Sequence, residues 1–151
     1  MKNYWLLKSE PETYSIDALK TERETAWTGV RNYQARNFMM AMKPGELCVF
    51  YHSGAAKECV GVAKVVGEPY PDPTQFDTKS HYFDPKATKE KPRWMLVDVR
   101  FVKKFKIPVT LAEVKRDPVL KNMMLARATR LSVQPVDKKH FDYIESLSAG
   151  A

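Results

Sequence analysis

The run Tyr4-Trp5-Leu6-Leu7-Lys8 is a compact apolar stretch closed by Pro11, and it predicts a short strand. Ser15 stands where a helix cap belongs, with Asp17 in the first turn and Ile16 and Leu19 as the apolar side. From Asn32 to Met42, Ala35, Phe38, Met39 and Met42 recur at three- and four-residue steps, the period of an amphipathic helix, and Lys43-Pro44-Gly45-Glu46 ends it with a type II turn signature. Leu47 to His52 and Cys59 to Val66 read as two strands separated by the loop from Ser53 to Glu58. A longer strand is expected over Arg93 to Val102, with Met95, Val97, Val99 and Phe101 on one face. Between these strands, Pro69 to Pro92 holds five prolines and little periodicity, which points to an ordered functional loop or lid. Thr110 and Glu113 have the spacing of a capping box, Asp117-Pro118 predicts another helix start, Leu131 to Pro135 a strand, and Asp137 the cap of a last helix bearing Phe141, Ile144 and Leu147. This order predicts a mixed α+β domain rather than a doubly wound one.

A chain of 151 residues with 44% hydrophobic and 28% charged positions can bury a core, and one domain over 1–148 with a tail at 149–151 is expected. No apolar run reaches the ~20 residues of a membrane helix, so neither a span nor a cleaved secretory signal is expected. Cys48 and Cys59 each sit in an apolar run and read as reduced core residues of an intracellular protein, cytoplasmic in a bacterium or nuclear in a eukaryote. The net charge of +7 is uneven, since ten basic and five acidic side chains follow residue 100. A basic sector favours a polyanion such as nucleic acid; an ordinary solvated surface is the alternative.

Phosphate-loop, dinucleotide, nucleophile-elbow and zinc-protease signatures do not occur. His52, His81 and His140 match no metal spacing, and Asp72, Asp77 and Asp84 read as turn formers beside prolines rather than as a calcium loop. No cofactor or metal is expected. What remains is a set of polar and aromatic residues at the ends of elements: Lys8, Ser9 and Glu10 after the first strand; Trp27, Val30, Arg31 and Asn32 before the long helix; Tyr51, His52 and Ser53 closing a strand; Arg130, Ser132 and Gln134 opening another. A planar base needs an aromatic wall and a few polar groups for its edge. Trp27 is the candidate wall, and Ser9, Glu10, Asn32 and Ser53 the candidate edge readers. The competing assignments are Trp27 as a core plug, Asn32 as a helix cap and Glu10 as a surface acid.

The stretches Tyr4 to Pro11, Trp27 to Asn37, Phe50 to Ser53, Tyr70 to Asp72 and Arg130 to Pro135 closely resemble the EVE domain family, almost from end to end of the chain. The resemblance implies a PUA-like fold, a small mixed β-barrel flanked by short α-helices and related to the YTH domains. It also implies a non-catalytic module that reads a modified base, modified cytosine in DNA above all, so that the expected partner is a nucleic acid carrying such a base. By the looser similarity to YTH domains, Lys8 and Ser9 lie on the strand end that contacts the base and Trp27 on a wall of the aromatic cage. Glu10 stands where that pattern has an amide. The family often shows Arg-Arg-Gly-Asn-Arg before Leu-Ser-Val; here Arg127-Ala128-Thr129-Arg130 keeps Arg130 as the closer match. Arg31, Arg36, Arg130 and the C-terminal lysines are the expected phosphate contacts. An enzyme acting on a modified base or nucleotide, with Glu10 or His52 as its acid or base, and a protein-interaction module are the other classes considered. Neither an oligomeric state nor a choice between DNA and RNA follows from the residues.

Overall fold

Trp5 and Leu7 pack into one apolar cluster and Leu6 into another, so β1 (Tyr4–Ser9) is covered on both faces and lies inside the sheet. The computed structural model describes residues 2–128 and 130–150. Met1, Thr129 of the Arg127 to Arg130 stretch, and Ala151 of the expected tail lie outside the described residues. The chain continues through α1 (Ile16–Glu22), β2 (Glu24–Ala26), α2 (Tyr33–Met40), β3 (Leu47–His52), β4 (Glu58–Val65) and the two-residue β5 (Tyr70–Pro71). A 3-10 turn at Pro73–Phe76 precedes β6 (Met95–Leu96) and β7 (Asp98–Thr110), and α3 (Leu111–Arg116), α4 (Met124–Arg127), β8 (Val133–Val136) and α5 (Lys138–Ser148) complete it.

Six strands form one mixed sheet in the order β2-β7-β4-β3-β1-β8, with β1 parallel to β3 and every other pairing antiparallel; β5 and β6 pair separately. The sheet curls into a half-barrel with helices around it, the expected α+β class. Curling depends on irregularity in β4, where the pairing with β7 shifts between Cys59 and Gly61 and again between Val62 and Ala63. Gly61 permits it, because a Cβ there would stand 2.5 Å from the Lys103 carbonyl and 2.8 Å from Ile16. Among the described residues no helix is long and apolar enough to cross a membrane.

The helix caps at Ser15 and Thr110 are present as expected, and Asn32 takes its alternative role as a cap. Ser15, Asn32 and Thr110 each accept the N–H three residues on, and Glu113 returns to the Thr110 N–H to complete the capping box. The single strand expected over Arg93 to Val102 is corrected. Leu96 and Val97 both enter the same core cluster, which a continuous strand cannot do, and the chain breaks at Val97 before β7 runs on to Thr110. Asp117-Pro118 also fails to start a helix: Asp117 caps a turn through Val119 and Leu120, and the next helix waits until Met124. Asp137 precedes α5 as expected but makes no side-chain capping bond. Cys48 and Cys59 are buried free thiols.

Candidate functional site

At the ends of β1 and β2 the surface opens into a cleft of about 510 Å3. Its floor is set by backbone bonds. The Lys8 N–H donates to the Ser132 carbonyl and the Ser53 N–H to the Ser9 carbonyl, so the ends of β1, β3 and the approach to β8 are fixed side by side. The Trp27 N–H donates to the Val97 carbonyl at 3.0 Å, which anchors the residue after β2 at the strand break. Of the thirteen residues singled out in the sequence, Lys8, Ser9, Glu10, Trp27, Val30, Arg31, Ser53, Arg130 and Ser132 line this cleft.

Trp27 belongs to the core and also lines the cleft. It is 7% exposed and meets Phe50 and Tyr14 edge to face, with ring centroids 5.4 Å and 6.2 Å away, yet it lines the cleft. Its indole N–H stands apart from those of the other two tryptophans. Trp5 and Trp94 donate to Glu46 and Asp84, whereas among the described residues the Trp27 Nε1–H meets no protein acceptor. No described side-chain polar atom is both sealed from solvent and unpartnered, so this donor faces the open space of the cleft. Glu10 lines the same cleft as an exposed carboxylate. Lys8 is half-buried, and burial holds its pKa below the ordinary lysine value. Its ammonium donates to the Ala128 carbonyl and lies 5.7 Å from the centre of the Tyr51 ring.

The other four residues stand outside the cleft, each for a physical reason. Asn32 caps α2 by accepting the Ala35 N–H. His52 Nε2 accepts the Ile16 N–H at 3.1 Å, which employs the neutral imidazole at the start of α1; burial lowers its pKa in keeping with that. Gln134 is 1% exposed and donates to the carbonyls of Ala128 and Leu131. Tyr51 faces a smaller neighbouring cavity. Arg31 lines the cleft, but it is corrected as a phosphate contact because its donors are spent. Nε and Nη2 reach the Tyr82 carbonyl, Nη2 also Thr74, and Nη1 the Val30 carbonyl and Asp72. All five guanidinium donors are thereby used. Arg36 is likewise occupied in part, by the Arg93 carbonyl and Asn37, with its guanidinium over Tyr33.

Tyr82 is one of seven cleft-lining residues outside the thirteen singled out in the sequence. It comes from the proline-rich segment and closes one side of the cleft. Its ring lies so close to Gly29 that a Cβ there would be 2.6 Å from it, and Gly29 holds φ at +88°. The Arg31 guanidinium sits between this ring at 5.3 Å and the Trp94 ring at 5.5 Å. Asp72, fully buried, joins the two sides: Oδ2 accepts from the Gly29 N–H and Arg31, and Oδ1 accepts from the Thr74 N–H and hydroxyl. Burial opposes its ionisation, but the bonds from Thr74, Gly29 and Arg31 outweigh it and hold the carboxyl below the usual range. The signal was present in the order Gly29-x-Arg31 followed by a proline-flanked Asp72; what hid it was that Asp72 also forms the expected turn. Among the described residues no group of three or more His, Cys, Asp or Glu side chains could hold a metal ion.

The sequence pattern of the EVE domain family matches residues 3–147. Thymocyte nuclear protein 1 of Gallus gallus is 45% identical over 164 aligned positions, covering 95% of this chain and 68% of the relative. A solved protein from Leishmania major, described as hypothetical, superposes with a TM-score of 0.95 at 46% identity, covering 99% of this chain and 96% of the other. The human THYN1 protein, solved in complex with 5-methylcytosine-containing DNA, superposes with a TM-score of 0.92 at 42% identity, covering 97% and 98%.

Proposed function

The chain belongs to the EVE domain family, and from that premise we propose that its cleft reads a modified cytosine in DNA without chemically changing it. The observation that carries this reading is the nearly buried Trp27 whose indole N–H opens, unpartnered, onto a cleft also lined by the Glu10 carboxylate. A polar group kept in an otherwise apolar wall without a protein partner calls for a ligand or water to complete it. Cytosine offers a complementary edge. Its exocyclic amine donates to a carboxylate such as Glu10, and its ring carbonyl and ring nitrogen accept from an N–H such as that of Trp27. Thymine, with a carbonyl in place of the amine, would set oxygen against oxygen at Glu10. Val30 and Ala26 add apolar lining for a ring methyl. The methylated DNA in the human relative's structure supports the same assignment.

Burial of one methyl group at ~0.8 kcal/mol gives about a fourfold preference for 5-methylcytosine over cytosine. That is a reader's selectivity, and most of the affinity must come from stacking and phosphates. A catalytic role has little to work with, since His52 is engaged by the Ile16 N–H and lies outside the cleft lining. Oligonucleotide incubated with the protein is accordingly returned unchanged.

The test is calorimetric binding to matched oligonucleotides that differ in one 5-methylcytosine. Trp27 belongs to the core, so Trp27→Ala would cost ~3–5 kcal/mol of stability and confuse the result. Trp27→Phe keeps a ring in the core but removes the N–H and part of the aromatic surface. It should weaken binding to both strands, by less than the ~1–3 kcal/mol that removing the aromatic altogether costs. Glu10→Gln, at an exposed position, should leave the melting temperature unchanged and reduce discrimination between cytosine and thymine. Wild-type affinity in Trp27→Phe would overturn the pocket assignment.

A further inference from the structure

Beside the cleft lies a second cavity of about 210 Å3 that shares Lys8 and Ser53 with it. Its other polar lining comes from Tyr51, Lys57 and Lys115, and no acidic residue takes part. Tyr51 is 3% exposed, and among the described residues its hydroxyl bonds to no protein group although every sealed polar side-chain atom has a partner. Burial pushes its pKa up to about 12, so it stays a donor. Leu111 and Leu125 close the apolar side and leave orientation of any ligand to the hydroxyl and the ammonium groups.

The backbone holds the two outer lysines together. Lys57 sits at the end of the β3–β4 hairpin with φ +51°, a left-handed conformation that favours glycine. Its carbonyl accepts the Leu111 N–H at 2.9 Å, which ties the hairpin to α3 and hence to Lys115. The acid on that helix, Glu113, is turned back into its own capping box. Three other lysines are paired with acids: Lys103 with Glu145, Lys104 with Asp17 and Lys138 with Asp142. Lys57 and Lys115 form no ion pair among the described residues.

We propose that this cavity is a phosphate subsite, in which Lys57, Lys115 and the Tyr51 hydroxyl hold the backbone phosphate adjoining the base in the main cleft. The cavity is basic, has no acid in its lining, and shares Lys8 and Ser53 with the base pocket, so a phosphate held there is next to a base bound in the cleft. The source of the phosphate as a DNA phosphodiester rests on the base-reading function proposed above; the phosphate chemistry itself does not.

The experiment has two arms on the full chain. In the first, oligonucleotides carrying one neutral methylphosphonate linkage at each position near the 5-methylcytosine are bound to wild type, to Lys57→Gln/Lys115→Gln and to Tyr51→Phe. One linkage should lose affinity in wild type, and that loss should disappear in the double variant. The variant's log-log salt slope should be shallower by about 1, with the ratio of 5-methylcytosine to cytosine affinity unchanged. In the second arm, inorganic phosphate is titrated against the amide resonances of residues 51, 57 and 115. Shifts at these amides that the double variant abolishes support the subsite. If phosphate shifts them while no oligonucleotide binds wild type, the DNA-reading function fails and the phosphate site stands. If oligonucleotides bind but the linkage effects are the same in the double variant, the subsite is overturned and the reading function stands. Absence of any shift with phosphate also overturns it.

Discussion

Glu46 is the residue whose importance the sequence conceals most fully. It follows Gly45 in a surface turn, yet it is 2% exposed and its carboxylate accepts from the Trp5 indole and from the N–H groups of Asn3 and Lys43. Burial works against its charge, but these bonds prevail and its pKa falls below the ordinary value of 4.5. A carboxyl depressed in the folded state adds stability above its unfolded pKa, and that stability is lost as the pH falls through the folded value. Glu46→Gln should therefore destabilise the protein by ~1.5–3 kcal/mol at neutral pH. The gap between variant and wild type should shrink in acid below about 4.5. Urea melts at several pH values check this, and a gap that is constant down to strongly acidic pH would refute it. Trp27 and Glu10, by contrast, were legible as candidates because an aromatic and an acid at loop-facing strand ends have few other uses. Whether Trp27 was wall or core was not legible, because burial depends on Phe50 and Tyr14, which lie far from it in sequence.

The helix starts were readable because a cap is a local interaction of three residues, as Ser15, Asn32 and Thr110 show. β7 was not. Its exposed positions include Arg100, Lys103, Lys104 and Lys106, and Pro108 lies near its end, a pattern that resembles a loop until the acids that meet them are known. The proline-rich segment was correctly expected to be ordered, but the means was invisible. Asp72, Asp77 and Asp84 each accept the N–H two residues on, as turn-forming aspartates do, and Asp72 alone also holds Gly29 and Arg31. Asp72→Ala would strip the half-buried Arg31 of its counter-ion, a change whose upper bound is the ~3–5 kcal/mol of a fully shielded pair. The loss should concentrate in this segment. Hydrogen exchange should quicken at the amides of Gly29, Thr74 and Tyr82 while β1 and β3 stay protected, and oligonucleotide affinity should fall as Tyr82 leaves the cleft. Uniform exchange across the sheet would show that Asp72 supports the whole fold rather than the cleft wall.

Across the whole molecule, the +7 charge is not spread as a uniform field. Three of the C-terminal lysines are answered locally, since Lys103, Lys104 and Lys138 have carboxylate partners drawn from α5 and α1. Such exposed pairs contribute little stability, but each weakens the potential above it. Cationic groups in concave surface lie at the cleft and its neighbour: Arg130, Lys57 and Lys115, with Lys8, which donates to the Ala128 carbonyl, on the shared wall. A rim of this size matches three or four phosphates. At 0.7–0.9 per phosphate neutralised, the logarithm of oligonucleotide affinity should fall with the logarithm of salt concentration at a slope of about −2 to −4. Placement makes the expectation sharper than net charge does. Arg130→Gln should reduce the slope by about 1, whereas Lys138→Gln, which removes an equal charge from the Asp142 pair outside both cavities, should leave it unchanged. Fluorescence anisotropy with a short labelled strand at four or five salt concentrations separates the two. Equal losses in both variants would mean that the DNA senses only total charge, and the oriented rim would have to be abandoned.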